Sequence, residues 1–158
     1  MFKRTVYIET SVVSYLTSNP SRDLVVAGHQ RITSDWWNGI RPNFDCYISD
    51  LVEIEISRGD KNASEKRLKA IKNFQYLEYK PEIETLGNIY FKLFSIPEKS
   101  KIDALHLAIA VWYKIDIMLS WNCKHIANAI ISLKMHEYNN KFNLHSPILC
   151  TPEELMEF

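Results

Sequence analysis

The stretch Lys101-Ile102-Asp103-Ala104-Leu105-His106-Leu107-Ala108-Ile109-Ala110-Val111-Trp112-Tyr113 constrains the fold most. Leu105, Ala108, Ile109 and Trp112 recur at helical spacing, as do Ile102 and His106. The alanines between them let neighbouring elements approach closely. A helix this apolar belongs in an interior. Yet Asp103 sits in its opening turn, with Ser100 placed to cap the start and Asp103 third in the helix, facing the positive end of the dipole. Two readings stay open. Asp103 completes a cap, or it is a charged group where a buried helix meets a cleft.

The rest of the chain supplies layers that can bury such a helix. Short strands are expected at 4–9, 46–49, 76–79, 115–121 and 147–150, each rich in β-branched or aromatic residues. Helical patterns lie between them. One runs from Val12 to Leu16, a second from Arg22 to Asn38, a third from Asp50 to Arg58, and a charged fourth starts at Asn62. Others open at Pro81, follow His125 through Ile130 and Leu133 to Asn139-Asn140, and close the chain after Thr151-Pro152. Alternating strands and helices imply an α/β domain of three layers, with a mostly parallel sheet covered on both faces. The 158 residues form one such domain, 1–158, with no repeat or linker.

Composition narrows the function. At 46% apolar and 24% charged residues the chain reads as a globular protein. No run is long enough to span a membrane, and the opening MFKRTVYIETS lacks a signal-peptide pattern, so a cytoplasmic location is expected. Cys46, Cys123 and Cys150 are too scattered for a disulfide framework or a zinc site. Four glycines make no phosphate-cradling loop, which removes nucleotide-binding readings. A net charge of zero argues against non-specific nucleic-acid binding by the whole surface, but not against a local basic patch.

Four polar residues fall at or near strand ends: Glu9, Glu55, Asp103 and Asn122. In a parallel sheet these ends share one edge, where sites form. Glu53 and Glu55 are two apart on a helix, so only one can face that edge. Three carboxylates brought together repel unless a cation neutralises them. Oxygen donors without thiolates suit Mg²⁺ or Mn²⁺, which activate water and stabilise phosphoryl charge.

Four segments carry a resemblance that covers essentially the whole chain. Tyr7-Ile8-Glu9-Thr10-Ser11-Val12-Val13-Ser14-Tyr15-Leu16, Glu55-Ile56-Ser57-Arg58-Gly59-Asp60, Lys101-Ile102-Asp103-Ala104-Leu105-His106-Leu107-Ala108 and Leu119-Ser120-Trp121-Asn122-Cys123-Lys124-His125-Ile126 together resemble the PIN-domain proteins, in particular the VapC-like toxins of toxin–antitoxin modules. The resemblance implies sheet order 3-2-1-4-5 and a metal-dependent endoribonuclease. Its first three acids match Glu9, Glu55 and Asp103 as ligands of Mg²⁺ or Mn²⁺; most members have Asp at the first. Glu55 fits because Gly59 lies four residues on. The fourth acidic position falls between Asn122 and His125, which hold no carboxylate. Thr10 or Ser11 matches a hydroxyl residue that supports the first acid. Arg58, Lys124 and His125 are candidate phosphate contacts.

The implied partners are an RNA substrate, a cognate antitoxin and a second copy of the chain. A homodimer is also expected from Trp36, Trp37, Tyr90, Phe91 and Phe94, read as more aromatic surface than a small core needs. The alternative function is a catalytically silent PIN-like domain that binds RNA or protein, favoured by Glu9 and Asn122. An aspartyl-phosphate enzyme needs Asp after the first strand, where Glu9 stands.

Overall fold

A computed structural model describes residues 2–156; Met1, Glu157 and Phe158, the ends of the expected 1–158 domain, lie outside the described residues. Five strands, β1 (Thr5–Ile8), β2 (Asp45–Ser49), β3 (Gln75–Leu77), β4 (Ile117–Leu119) and β5 (Ile148–Cys150), form one sheet in the order β3-β2-β1-β4-β5. Every neighbouring pair is parallel, with Tyr7 level with Tyr47 on one side and Met118 on the other. The central strand Thr5-Val6-Tyr7-Ile8 is covered on both faces, so it reads as a continuous buried run. Asp116 pins its start, accepting from the Thr5 amide at 2.9 Å and the Thr5 hydroxyl at 3.1 Å.

The helices are α1 (Thr10–Thr17), α2 (Leu24–Asp35), α3 (Asp50–Ile56), α4 (Lys61–Ala70), α5 (Pro81–Leu93), α6 (Lys101–Trp112) and α7 (Ala129–Lys141). Side chains of Asp23, Ser49, Asp60 and Asn128 cap α2, α3, α4 and α7. Parallel neighbouring strands need crossover connections, and the helices supply them. Helices α1 to α4 pack among themselves, α5 packs on α6, and Tyr90 of α5 meets Tyr138 of α7. Gly87 of α5 is the point of close approach: a Cβ there would lie 2.5 Å from Leu105 Cδ2 and 3.4 Å from Leu105 Cα.

Several details differ from the sequence expectation. Ser100 makes no side-chain cap to α6; a 3₁₀ turn, Glu98–Ser100, leads into the helix instead. A π-helical turn at Trp36–Ile40 extends α2 and turns both tryptophans inward. Trp36, Trp37, Tyr90 and Phe94 are core residues, so they supply no surface for self-association. Ile130 and Leu133 are exposed, and α7 runs on to Lys141 with Asn139 buried, its amide tied to Tyr90 and to the His145 carbonyl.

Candidate active site at the carboxyl edge of the sheet

Strand β1 ends at Ile8 and α1 begins at Thr10, which leaves Glu9 as the cap residue between them. Its carboxylate is almost buried. Oε2 accepts from the Ser11 amide at 2.8 Å and the Ser120 hydroxyl at 3.1 Å. Ser120 follows β4, the strand beside β1, so neighbouring strand ends supply both the acid and its partner.

Glu55 lies near the end of α3. Its Oε1 accepts from Thr10 Oγ1 at 2.7 Å and from His106 Nε2 at 2.5 Å. An ionised carboxylate only accepts, so the proton lies on Nε2. The other ring nitrogen of His106 is 2.5 Å from the Tyr7 hydroxyl, which is 2.7 Å from Ser49 Oγ. Ser49 in turn takes the Val52 amide as the cap of α3. A chain of polar groups therefore runs from β2 through β1 and α6 to α3, all of it inside the protein until Glu55. Glu53 points elsewhere and is exposed.

Asp103 occupies the first turn of α6. Its Oδ2 accepts from Asn122 Nδ2 at 3.0 Å and from His125 Nδ1 at 2.9 Å. Asn122 Oδ1 accepts the amides of Lys124 and His125, a tight turn that sets His125 against the acid. Trp121 anchors this turn from behind. It stacks on His29 of α2 with ring centroids 4.0 Å apart, and its indole donates to Thr33 Oγ1 at 2.7 Å.

The electrostatics follow from burial and pairing. Burial raises the pKa of Glu9 and outweighs the His106 charge and the Ser11 bonds. Burial also pushes Glu55 upward, but the His106 bond and charge, Thr10 and Arg58 outweigh it and lower the pKa. Burial alone would lower His106; the Glu55 bond and the charges of Glu55, Glu9 and Asp103 reverse this and raise it. All three acids thus act on the His106 imidazole.

Thr10 serves the second acid and not the first, whereas Ser11 serves the first through its amide. Arg58 and Lys124 are exposed, with Arg58 close enough to act on Glu55. Sequence reasoning missed His106, Tyr7, Ser49 and Ser120. The signal available was His106 itself: a histidine among alanines and leucines on a buried helix needs a polar partner.

Each carboxylate commits one oxygen to the protein. Glu9 Oε1, Glu55 Oε2 and Asp103 Oδ1 take no hydrogen bond from the described residues and stay open to solvent. Such oxygens have the hard-donor chemistry of a Mg²⁺ or Mn²⁺ site. Their spacing does not match it: among the described residues, no three His, Cys, Asp or Glu side chains converge as a cation requires.

No family model matches the sequence, and a search of curated proteins returned no match. Among solved structures, Mycobacterium tuberculosis VapC20, a sarcin-ricin loop cleaving toxin, is similar with a TM-score of 0.58 at 15% identity, over 76% of this chain and 92% of that one. With its five parallel strands in the order β3-β2-β1-β4-β5, the chain has the VapC-like PIN fold.

Proposed function

We propose that the chain is an endoribonuclease and the toxin of a toxin–antitoxin pair. The observation that carries this reading is the placement of Glu9, Glu55 and Asp103 at the carboxyl edge of a VapC-like sheet, with Glu55 hydrogen-bonded to the buried His106. The VapC20 neighbour, a toxin that cleaves the sarcin-ricin loop, supports RNA as the substrate class. Mg²⁺ or Mn²⁺ is the proposed cofactor on donor chemistry alone, and Glu9, Glu55 and Asp103 would have to draw closer together than they stand here to hold it.

The chain's own residues do the positioning. Ser11 and Ser120 hold Glu9, Thr10 and His106 hold Glu55, and Asn122 and His125 hold Asp103. Arg58, Lys124 and the second ring nitrogen of His125 are the groups proposed to meet phosphate. A homodimer and a cognate antitoxin are part of the same proposal, and light scattering at micromolar concentration tests the dimer.

The decisive experiment is RNA cleavage by the purified protein with Mg²⁺ or Mn²⁺, against a metal-free control and Asp103→Asn. Cleavage that needs both the metal and Asp103 supports the reading. A second reading, a silent PIN-like domain that binds RNA or protein, is favoured by the spacing of the acids and by the two donors that occupy one oxygen of Asp103. RNA binding without cleavage under any of these conditions replaces the nuclease with that domain.

A further inference from the structure

The chain is neutral overall, with 19 basic and 19 acidic residues, but its charge is not evenly spread. Between Arg58 and Lys72 lie Arg58, Lys61, Lys66, Arg67, Lys69 and Lys72 against Asp60 and Glu65 alone, so this segment is strongly positive and the remainder equally negative. Most of the segment is α4.

The two kinds of base on this helix behave differently. Arg67 is committed to structure: its Nε donates to the Ile56 carbonyl at 3.0 Å and its Nη2 to the Arg58 carbonyl at 2.7 Å, which ties the end of α3 to α4. Lys61, Lys66, Lys69 and Lys72 are exposed, and none of their ammonium groups meets an acceptor or an acid among the described residues. Glu65 lies one turn from Lys61 and from Lys69, yet pairs with neither. Arg67 and Lys69, in the last turn of the helix, suit its dipole. That effect fades within a turn and does not account for Lys61 or Lys66.

The location matters as much as the charge. Helix α4 packs against α1 and α3. Thr10, which opens α1, and Glu55, on α3, are hydrogen-bonded to each other at the acidic edge. Arg58 bridges the two regions, since its charge acts on Glu55 and its carbonyl is held by Arg67. A basic stripe thus starts beside the acidic edge and leads away from it.

We propose that Lys61, Lys66, Lys69 and Lys72 form a track for the phosphate backbone of a single RNA strand whose neighbouring phosphodiester lies at the acidic edge. The occupant follows from charge complementarity and continuity: an acidic edge repels a polyanion unless an adjacent surface of opposite sign holds it in place. The track is sequence-neutral, because ammonium groups on a helix surface address phosphates and not base edges. This inference rests on the ribonuclease reading for its substrate class, and its test separates the two.

The test compares the full chain with Lys66→Gln/Lys69→Gln, two residues outside the acidic edge. Binding of an unstructured oligouridylate is measured in an Asp103→Asn background from low to moderate salt. The expected result is weaker binding, with the slope of log K against log salt reduced by about 0.7 for each phosphate that the variant no longer neutralises. With Asp103 intact, the double variant should cleave with a raised KM and an unchanged kcat. A second pair, Lys92→Gln with Lys114→Gln, both exposed and outside the acidic edge, controls for charge removed elsewhere. If the α4 pair leaves affinity and salt slope unchanged, the track is refuted even where the wild-type protein cleaves RNA. If the wild-type protein cleaves nothing but the α4 pair still loses oligouridylate binding, the track stands and the nuclease reading falls. If a polyglutamate peptide binds the wild-type protein as tightly as the oligouridylate, and loses as much in the variant, the surface takes acidic protein and the RNA track is overturned.

Discussion

The ring of His106 is fully buried, and its Nε2 lies 2.5 Å from Glu55 Oε1. This contact joins the interior to the acidic edge. On its other side the same ring meets the Tyr7 hydroxyl, so two substitutions can sever the chain at different points.

His106→Ala should cost about 2–4 kcal/mol, because it strips a buried carboxylate of one partner and a buried phenol of another. Tyr7→Phe should cost less, about 1–3 kcal/mol, since it leaves the imidazole paired with Glu55 and removes only the hydroxyl. Urea denaturation of the two variants checks the order. Equal and negligible losses would show that the polar chain contributes nothing.

Stability should depend on pH through the same groups. His106 is raised above 6.5 by Glu55, Glu9 and Asp103, so its contribution is complete below pH 6.5 and is lost as pH rises through the raised value. Glu55 is lowered below 4.5, so its contribution is complete above pH 4.5 and is lost as pH falls through the lowered value. Glu9 runs the other way: raised by burial, it favours the folded state in acid and gives up that advantage as pH climbs through its raised value. The unfolding free energy should therefore decline from pH 6.5 upward. Glu55→Gln should flatten most of that decline, and a pH series of urea melts measures it.

Asn122→Asp keeps the oxygen that accepts the Lys124 and His125 amides, but turns the group that donates to Asp103 into a second anion. The variant should melt below the wild type in metal-free buffer. It should also gain more from millimolar Mn²⁺ than the wild type does, because it adds a fourth carboxylate to the edge. Differential scanning calorimetry with and without Mn²⁺ reads both effects, and a wild-type-like profile in each buffer would contradict them.

Asp103→Asn should lower stability by about 1 kcal/mol in metal-free buffer. The acid is held by two donors at one oxygen, and an amide accepts less well from both. In the wild type, the proposed cation, if bound only by the folded chain, would add about 2.7 kcal/mol at a hundredfold excess over its dissociation constant. The substitution should remove this metal-dependent gain together with RNA cleavage. A cation response that survives it would place the metal elsewhere.

Much of the architecture could be read from the chain because strand and helix patterns alternate cleanly from Thr5 to Cys150, and Glu9 visibly interrupts a strand where a helix begins. The partnerships could not. His106 meets Tyr7 and Glu55 only because the sheet order brings distant segments together, and nothing local to either residue specifies that pairing. Thr10 and Ser11 are adjacent hydroxyl residues, and only the turn of α1 decides which acid each one serves. The aromatic residues near Trp36 and Tyr90 read as surface in the sequence, but a π-helical turn and two-sided packing bury more of a helix than a single apolar stripe suggests.

The close approach of Gly87 to Leu105 falls on the helix that carries two groups of the acidic edge, since Leu105 stands on α6 between Asp103 and His106. A methyl group at position 87 would overlap the tip of the Leu105 side chain, while the α6 backbone at Leu105 Cα stays at ordinary contact distance. A leucine tip yields by changing rotamer before a packed helix moves. The seam between α5 and α6 is therefore cushioned: a small side chain on one helix is taken up by a side chain of the other, and the backbone under Asp103 and His106 keeps its place.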